Sequence, residues 1–230
     1  MPLDLIRPRT LRIANLLTFC LGVTLTALLF FMSLYCQQVL GYSALRTGMA
    51  MLPITVIFIV GGLTSRQLIP VVGARPMLVA GGLIATAGIA WLVTIPTHSA
   101  YLTHILAPNL VGGFGVSIML LAVTISGTTG VDPKNAGAAS GLLNTSRQIG
   151  GAVGLAVLVN IASRVTSHAS HDSDRLDALV QGYRVAFLVN AGLMLVTALA
   201  ALALPAVASA KEAKEKAHEP LDGRPTTTRP

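Results

Sequence analysis

Long apolar runs separated by short polar punctuation organise this chain from Ile13 to Leu204. Six runs approach or exceed the roughly 20 helical residues that cross a bilayer core. They are Ile13–Cys36, Gly48–Ser65, Met77–Ile95, Tyr101–Ile125, Ala138–Ser163 and Tyr183–Leu204. All are rich in Leu, Ala and Gly without period-two alternation, which predicts helices rather than strands of a membrane barrel. Arg7, Arg9 and Arg12 precede the first run as in a signal peptide, but the run is too long and no small-residue cleavage site follows it. The pattern predicts an all-α polytopic membrane protein. Residues 1–12 form a juxtamembrane segment, 13–205 the six-helix domain and 206–230 a polar tail.

Composition supports that reading. Charged residues make up 11% of the chain and hydrophobic ones 53%, with mean hydropathy +0.72; a soluble domain is about 25% charged. With six spans both termini share one side. That side collects eleven basic residues: Arg7, Arg9, Arg12, Arg66, Arg75, Lys134, Lys211, Lys214, Lys216, Arg224 and Arg229. The other side has four, Arg46, Arg164, Arg175 and Arg184. The positive-inside bias puts both termini in the cytosol, as expected of a multi-pass protein of the cell membrane. It also accounts for the pI of about 10.0 without a nucleic-acid partner. The tail sequence AKEAKEKAHEP alternates charge, predicting a frayed helix before a disordered end, and its lysines lie where anionic membrane lipid attracts them. Cys20 and Cys36 stand sixteen residues apart on one run, about 24 Å, too far for a disulfide. The five histidines form no ligand-like cluster, so neither metal nor cofactor is expected.

The carboxylates are Asp4, Asp132, Asp172, Asp174, Asp177, Glu212, Glu215, Glu219 and Asp222, every one in a loop or tail. Proton carriers in membranes are usually intramembrane Asp, Glu or His, so this chain is a poor candidate for carrying protons alone. His104, about one turn into the fourth run, is the nearest approach.

The tetrapeptide TSRQ occurs twice, at Thr64–Gln67 and Thr145–Gln148. The first copy closes an apolar run and opens a polar loop. The second sets Arg147 roughly 14 Å inside the fifth run, where a charge costs at least about 2.5–3.5 kcal/mol. Such an arginine must face protein or water. Helical periodicity puts Ser140, Asn144, Arg147, Gly151 and Gly154 on one face, and Gly137-x-x-x-Gly141 and Gly150-x-x-x-Gly154 read as packing seams. The guanidinium has two readings. In one it serves substrate, a partner carboxylate or the carbonyls of span four near Gly112–Gly115; in the other it locks helix packing or snorkels. The candidate cavity-lining set is Ser140, Asn144, Arg147, Gln148 and Gly151, with Tyr35 and Gln38 at the outer end of span one. Pro53 in the second run, and Pro108 with Gly112, Gly113 and Gly115 in the fourth, read as helix breaks of the kind that surround a midplane site, with a kink made only for packing as the alternative at either proline.

Three blocks carry a family resemblance: SLYCQQVLGYSALRTGMAMLP, GGLTSRQLIPVVGARPML and DPKNAGAASGLLNTSRQIGGAVGLAVL. Together they resemble the C-terminal half of a major facilitator superfamily transporter, closest to its fourteen-helix drug:proton antiporter branch, over Pro2 to Pro205. Gly62, Arg66, Gly73 and Arg75 match a cytosolic loop motif of that superfamily. Thr64 and Ser65 stand where its acidic residue belongs, which removes the usual charge lock. The resemblance implies half of a major facilitator fold, built as two inverted three-helix repeats, with spans one, two, four and five lining the cavity. It also implies a first half that carries the proton-coupling carboxylates. On that basis the chain is expected to be a fragment, a truncated product or a half-transporter. Its expected role is the substrate-facing half of a multidrug efflux carrier, not an enzyme, moving small amphipathic organic molecules, cations among them, by proton-coupled alternating access. A non-transporting membrane remnant or assembly partner is the alternative. Remoter still is an intramembrane serine protease with Ser140 of AASG as nucleophile, because His168, His171 and His218 all lie outside the runs.

The charge bias makes the topology testable. Cysteines introduced at Ala169 and Ala213 should react with an impermeant maleimide from outside and inside respectively. Labelling of both from one face would overturn the six-span arrangement.

Overall fold

In hydrocarbon no water caps a stray N–H or C=O, so each spanning segment must satisfy its backbone internally. The computed structural model, which describes residues 9–97, 102–129, 131–170 and 174–203, resolves the described part of each apolar run into helix, apart from a turn at residues 93–95 that ends the third. The helices are α1 (Arg9–Leu34), α2 (Ala44–Val72), α3 (Ala74–Leu92), α4 (Ala107–Thr128), α5 (Ala136–Ala169) and α6 (Arg175–Ala200). A π-helical turn, Tyr35–Val39, extends α1; another, Leu102–Leu106, leads into α4; a 3-10 turn, Ala201–Ala203, closes α6. There is no strand among the described residues. All six helices are long and apolar enough to cross a membrane, and the chain is a multi-pass membrane protein. Residues 1–8 and 204–230, including the polar tail with its four glutamate and aspartate positions, lie outside the described residues.

Several helices overshoot their apolar runs. The loop expected across Gly62–Pro76 is helical as far as Val72 and again from Ala74. The turn is confined to Gly73, whose φ of 93° lies in the region that only glycine enters without strain. Arg66 therefore sits in helix, six residues before the end of α2, with its side chain exposed. Likewise α6 begins at Arg175, eight residues before the apolar run that announces it. A hydropathy pattern finds the hydrocarbon-embedded part of a helix, whereas backbone hydrogen bonding continues into the interfacial turns.

Neither predicted helix break is present. α2 continues through Pro53, and also contains Pro70. Pro108 stands in the first turn of α4, directly after the π-helical turn Leu102–Leu106, and the α-helix runs on from it to Thr128. Gly112, Gly113 and Gly115 remain helical, and two of them serve close packing against α3. A Cβ on Gly88 of α3 would come within 2.2 Å of the Gly112 nitrogen, and one on Gly115 within 2.3 Å of the Ala85 nitrogen.

The tightest backbone contact lies between α1 and α5. A Cβ on Gly22 would fall 2.0 Å from the carbonyl oxygen of Arg147, and one on Gly150 would fall 2.1 Å from that of Phe19. Lipid supplies no hydrophobic drive between helices, so backbones approach where small residues let them. Gly151 and Gly154 pack on Thr26 and Val23 in the same seam. The other expected seam is absent: Cβ atoms on Gly137 and Gly141 would meet nothing within 4 Å.

The bundle is unevenly covered. Inside the protein α1 and α4 bury 56% and 61% of their most apolar stretch, whereas α2 and α5 bury only 17% and 22%. α2 packs on α4 and α5 on α1. The second helix of each group of three thus lies against the first helix of the other group, the arrangement of two inverted repeats.

The seam gives a matched pair of variants. Gly150→Ala should lower stability by about 1–3 kcal/mol through overpacking, while Gly141→Ala should be neutral or stabilising by up to about 1 kcal/mol. SDS-titrated unfolding from maltoside micelles measures both. Equal stabilities would show that the seam opens without cost.

Candidate functional site

The repeated tetrapeptide uses its residues alike in both copies. Thr64 and Thr145 donate to the carbonyls four residues back, Val60 and Gly141. Each serine reaches a neighbouring helix: the Ser65 hydroxyl donates to the Ile118 carbonyl of α4 at 3.0 Å, and Ser146 donates to Asn15 Oδ1 of α1 at 2.8 Å. Serine is the fastener, and the arginine that follows points elsewhere.

Arg147 lies eleven residues into α5, about 16 Å along the helix from Ala136. It is half-buried, and its Nη2 donates to Asn144 Oδ1 at 2.7 Å. Its side chain lines a cleft of about 240 Å³ between α1, α4 and α5. Thr18, Thr124, Ser140 and Asn144 supply the polar wall, with Leu120 and Leu143 behind. Thr18 and Thr124 donate to carbonyls of their own helices, Ala14 and Leu120. The expected bond from Arg147 to span-four carbonyls near Gly112–Gly115 is not made. Those glycines face α3 and α2, more than a turn before the stretch of α4 that borders the cleft, and helical carbonyls are already engaged. Arg147 has no carboxylate partner among the described residues.

A second recess lies between α1, α2 and α5. Its volume is about 770 Å³, and Leu25, Leu29, Met51, Ile54, Phe58 and Leu155 line it, with Thr26 and Thr55 as its polar members. Its residues are scattered over three runs, so no local sequence pattern marks it.

The remaining candidates separate. Ser140 and Asn144 share the cleft with Arg147. Gly151 is buried against Thr26, so it packs the seam and does not line the cleft, and exposed Gln148 is not among the cleft residues. Tyr35 and Gln38 belong to a clasp at the opposite end of the bundle. The fully buried Tyr35 donates its hydroxyl to the Pro96 carbonyl at 2.7 Å. Arg184 donates through Nε and Nη2 to the Ile95 carbonyl at 2.8 and 2.7 Å. Tyr183 donates to Gln38 Oε1 at 2.7 Å, and Thr97 donates to the Asp177 carboxylate. The segment after α3 is thereby held by α1 and α6 together. Sequence reasoning treated Arg184 and Asp177 only as loop charges; the Tyr183-Arg184 pair at the head of an apolar run was the available signal. Of the loop-motif residues, Gly73 makes the turn, Arg75 is half-buried at the start of α3, and Gly62 and Arg66 lie on α2. No group of three metal-ligating side chains occurs among the described residues.

The family profile described as Major Facilitator Superfamily matches residues 3–155. The puromycin resistance protein pur8 of Streptomyces alboniger is 34% identical over 190 residues, covering 79% of this chain and 38% of that protein. The cephamycin export protein CmcT of Amycolatopsis lactamdurans is 37% identical over 195 residues, covering 84% of this chain and 39% of that protein. The tetracenomycin C resistance and export protein of Streptomyces glaucescens is 34% identical over 167 residues, covering 72% and 31%. The chain thus spans less than two fifths of the length of each of these relatives.

Proposed function

The chain belongs to the Major Facilitator Superfamily, and from that premise we propose that it is the substrate-facing half of an efflux carrier for small organic molecules. The observation that carries this reading is the Arg147 cleft. A guanidinium well inside a membrane helix, with no carboxylate among the described residues to neutralise it, costs free energy that packing alone does not repay, and it stands in an open recess rather than in the core. The export and resistance names of the relatives support the same role. So do the sparsely covered α2 and α5, which offer faces for a second half.

On this reading residues 13–205 are the transporting domain, flanked by cytosolic segments 1–12 and 206–230 in a plasma membrane. Transport runs by alternating access, with the two halves rocking about the site. The proton gradient drives it through carboxylates of the other half, because the described ones, Asp132, Asp174 and Asp177, sit between helices or at the first turn of α6. Ser140 has no histidine beside it in the cleft, which disfavours the protease alternative. The assembly-partner alternative predicts no export in any pairing.

Export of a fluorescent dye from cells separates these readings. The chain co-expressed with a matching N-terminal half should export the dye in an uncoupler-sensitive manner, and the chain alone should not. In the pair, Arg147→Ala should keep its membrane level but lose about tenfold or more in rate, the worth of one charge-assisted hydrogen bond. Arg147→Lys should recover only part, since it lacks the planar fork. Full transport by the alanine variant would reduce Arg147 to a packing residue, and coupled export by the chain alone would refute the division of labour.

A further inference from the structure

The arginine cleft and the apolar recess lie on one stripe. On α1 the cleft residue Thr18 is followed by the recess residues Leu25 and Leu29, seven and eleven positions on. Those spacings return within about 20° of the same helix face. On α5 the cleft residue Asn144 and the recess residue Leu155 are eleven positions apart, again within about 20°. The axial separations are about 10 Å on α1 and about 16 Å on α5. A polar seat and an apolar trough therefore lie along the same faces of α1 and α5, above the glycine seam that joins the two helices and within the length of a small amphiphile.

The hydrogen-bonding inventory of the seat is one-sided. Thr18 and Thr124 spend their hydroxyl protons on their own helices. Asn144 spends its oxygen on Arg147, which leaves the Asn144 amide N–H groups facing outward. Arg147 has five N–H donors, and its bond to Asn144 uses one nitrogen, Nη2. The Ser140 hydroxyl completes the set. The seat thus offers a surplus of donors and one positive charge. Among the described residues no carboxylate lines either recess.

Resting on the carrier reading above, we propose that the substrate is an amphiphile with an anionic end. Its carboxylate, sulfonate or phosphate sits on Arg147, Asn144 and Ser140, and its apolar body lies along the trough between α1, α2 and α5. A cation, which the sequence resemblance led us to expect, meets no counter-charge among the residues that line the two recesses and faces repulsion from Arg147. A planar fork of donors is the geometry that binds oxyanions in a bidentate manner. The apolar trough rejects a second charge at the far end of the guest, because Thr26 and Thr55 cannot offset its desolvation.

Two dyes that differ by a single sulfonate test this. The chain is placed in phosphatidylcholine nanodiscs and titrated with 1-anilinonaphthalene-8-sulfonate and with N-phenyl-1-naphthylamine, with empty discs subtracted. The sulfonate should bind at least about tenfold more tightly than the neutral dye. Arg147→Gln should bring the two affinities together, and Arg147→Lys should keep part of the difference. Asn144→Asp, which gives the guanidinium an internal counter-ion at nearly unchanged volume, should abolish the preference even where Arg147→Gln folds poorly. Leu25→Gln should weaken both dyes alike. Equal affinities in the wild type, or a preference that survives both Arg147→Gln and Asn144→Asp, would overturn the anionic assignment and leave the carrier reading standing. Absence of any saturable binding would overturn both. Replacing part of the phosphatidylcholine with phosphatidylglycerol decides the source of the anion. Competition by that lipid supports the anion seat and assigns it to a headgroup, and unchanged dye binding supports the seat and assigns it to a soluble amphiphile.

Discussion

Backbone contact between α1 and α5 is the constraint on which the rest depends. Gly22 lies against the carbonyl of Arg147, and Gly150 lies against the carbonyl of Phe19, at distances that leave no room for a Cβ. The contact fixes the rotation of α5 about its own axis, because only its glycine face can come so close. Once that face is turned to α1, Ser146 meets Asn15 and its neighbour Arg147 swings into the cleft toward α4. A modest rotation of α5 would aim the guanidinium at hydrocarbon, at a cost of several kcal/mol. A seam made of missing side chains therefore positions the arginine that lines the cleft.

A second seam, where Gly88, Gly112 and Gly115 bring α3 onto α4, holds the opposite side of the bundle. The clasp of Tyr35, Arg184, Asp177 and Gln38 ties the far end. Together they make a rigid body whose apolar interior is continuous, while α2 and α5 keep exposed faces. On the reading proposed above, those exposed faces are where a second half would meet this one. The clasp also gives a physical role to polar residues that a cavity-centred reading assigns to substrate.

How much of this was legible in the chain depends on range. The six spans were legible, because length and apolarity alone dictate helix in lipid. Their ends were less so: Gly62–Val72 carries enough polar residues to read as loop, yet it hydrogen-bonds as helix. The depth of Arg147 and its company with Ser140 and Asn144 followed from 3.6-residue periodicity. The same periodicity placed Gly151 beside them, but it turns into the α1 seam, since a helical wheel names a face and not the neighbour it meets. Glycine was the main source of error. Gly112, Gly113 and Gly115 have the composition of a break, and whether such a triplet interrupts a helix or admits another one depends on α3, twenty or more residues away. The apolar recess was invisible for the same reason, being assembled from α1, α2 and α5.

The central claim is that Arg147 faces a water-reached cleft and not lipid. A nitroxide at position 144, in a chain with Cys20 and Cys36 replaced, measures this through collisions with a water-soluble nickel chelate and with oxygen. Val196, exposed on α6, supplies the lipid reference. The nitroxide at position 144 should favour the nickel chelate, and the one at position 196 should favour oxygen. An oxygen-dominated signal at position 144, matching that at position 196, would contradict the account.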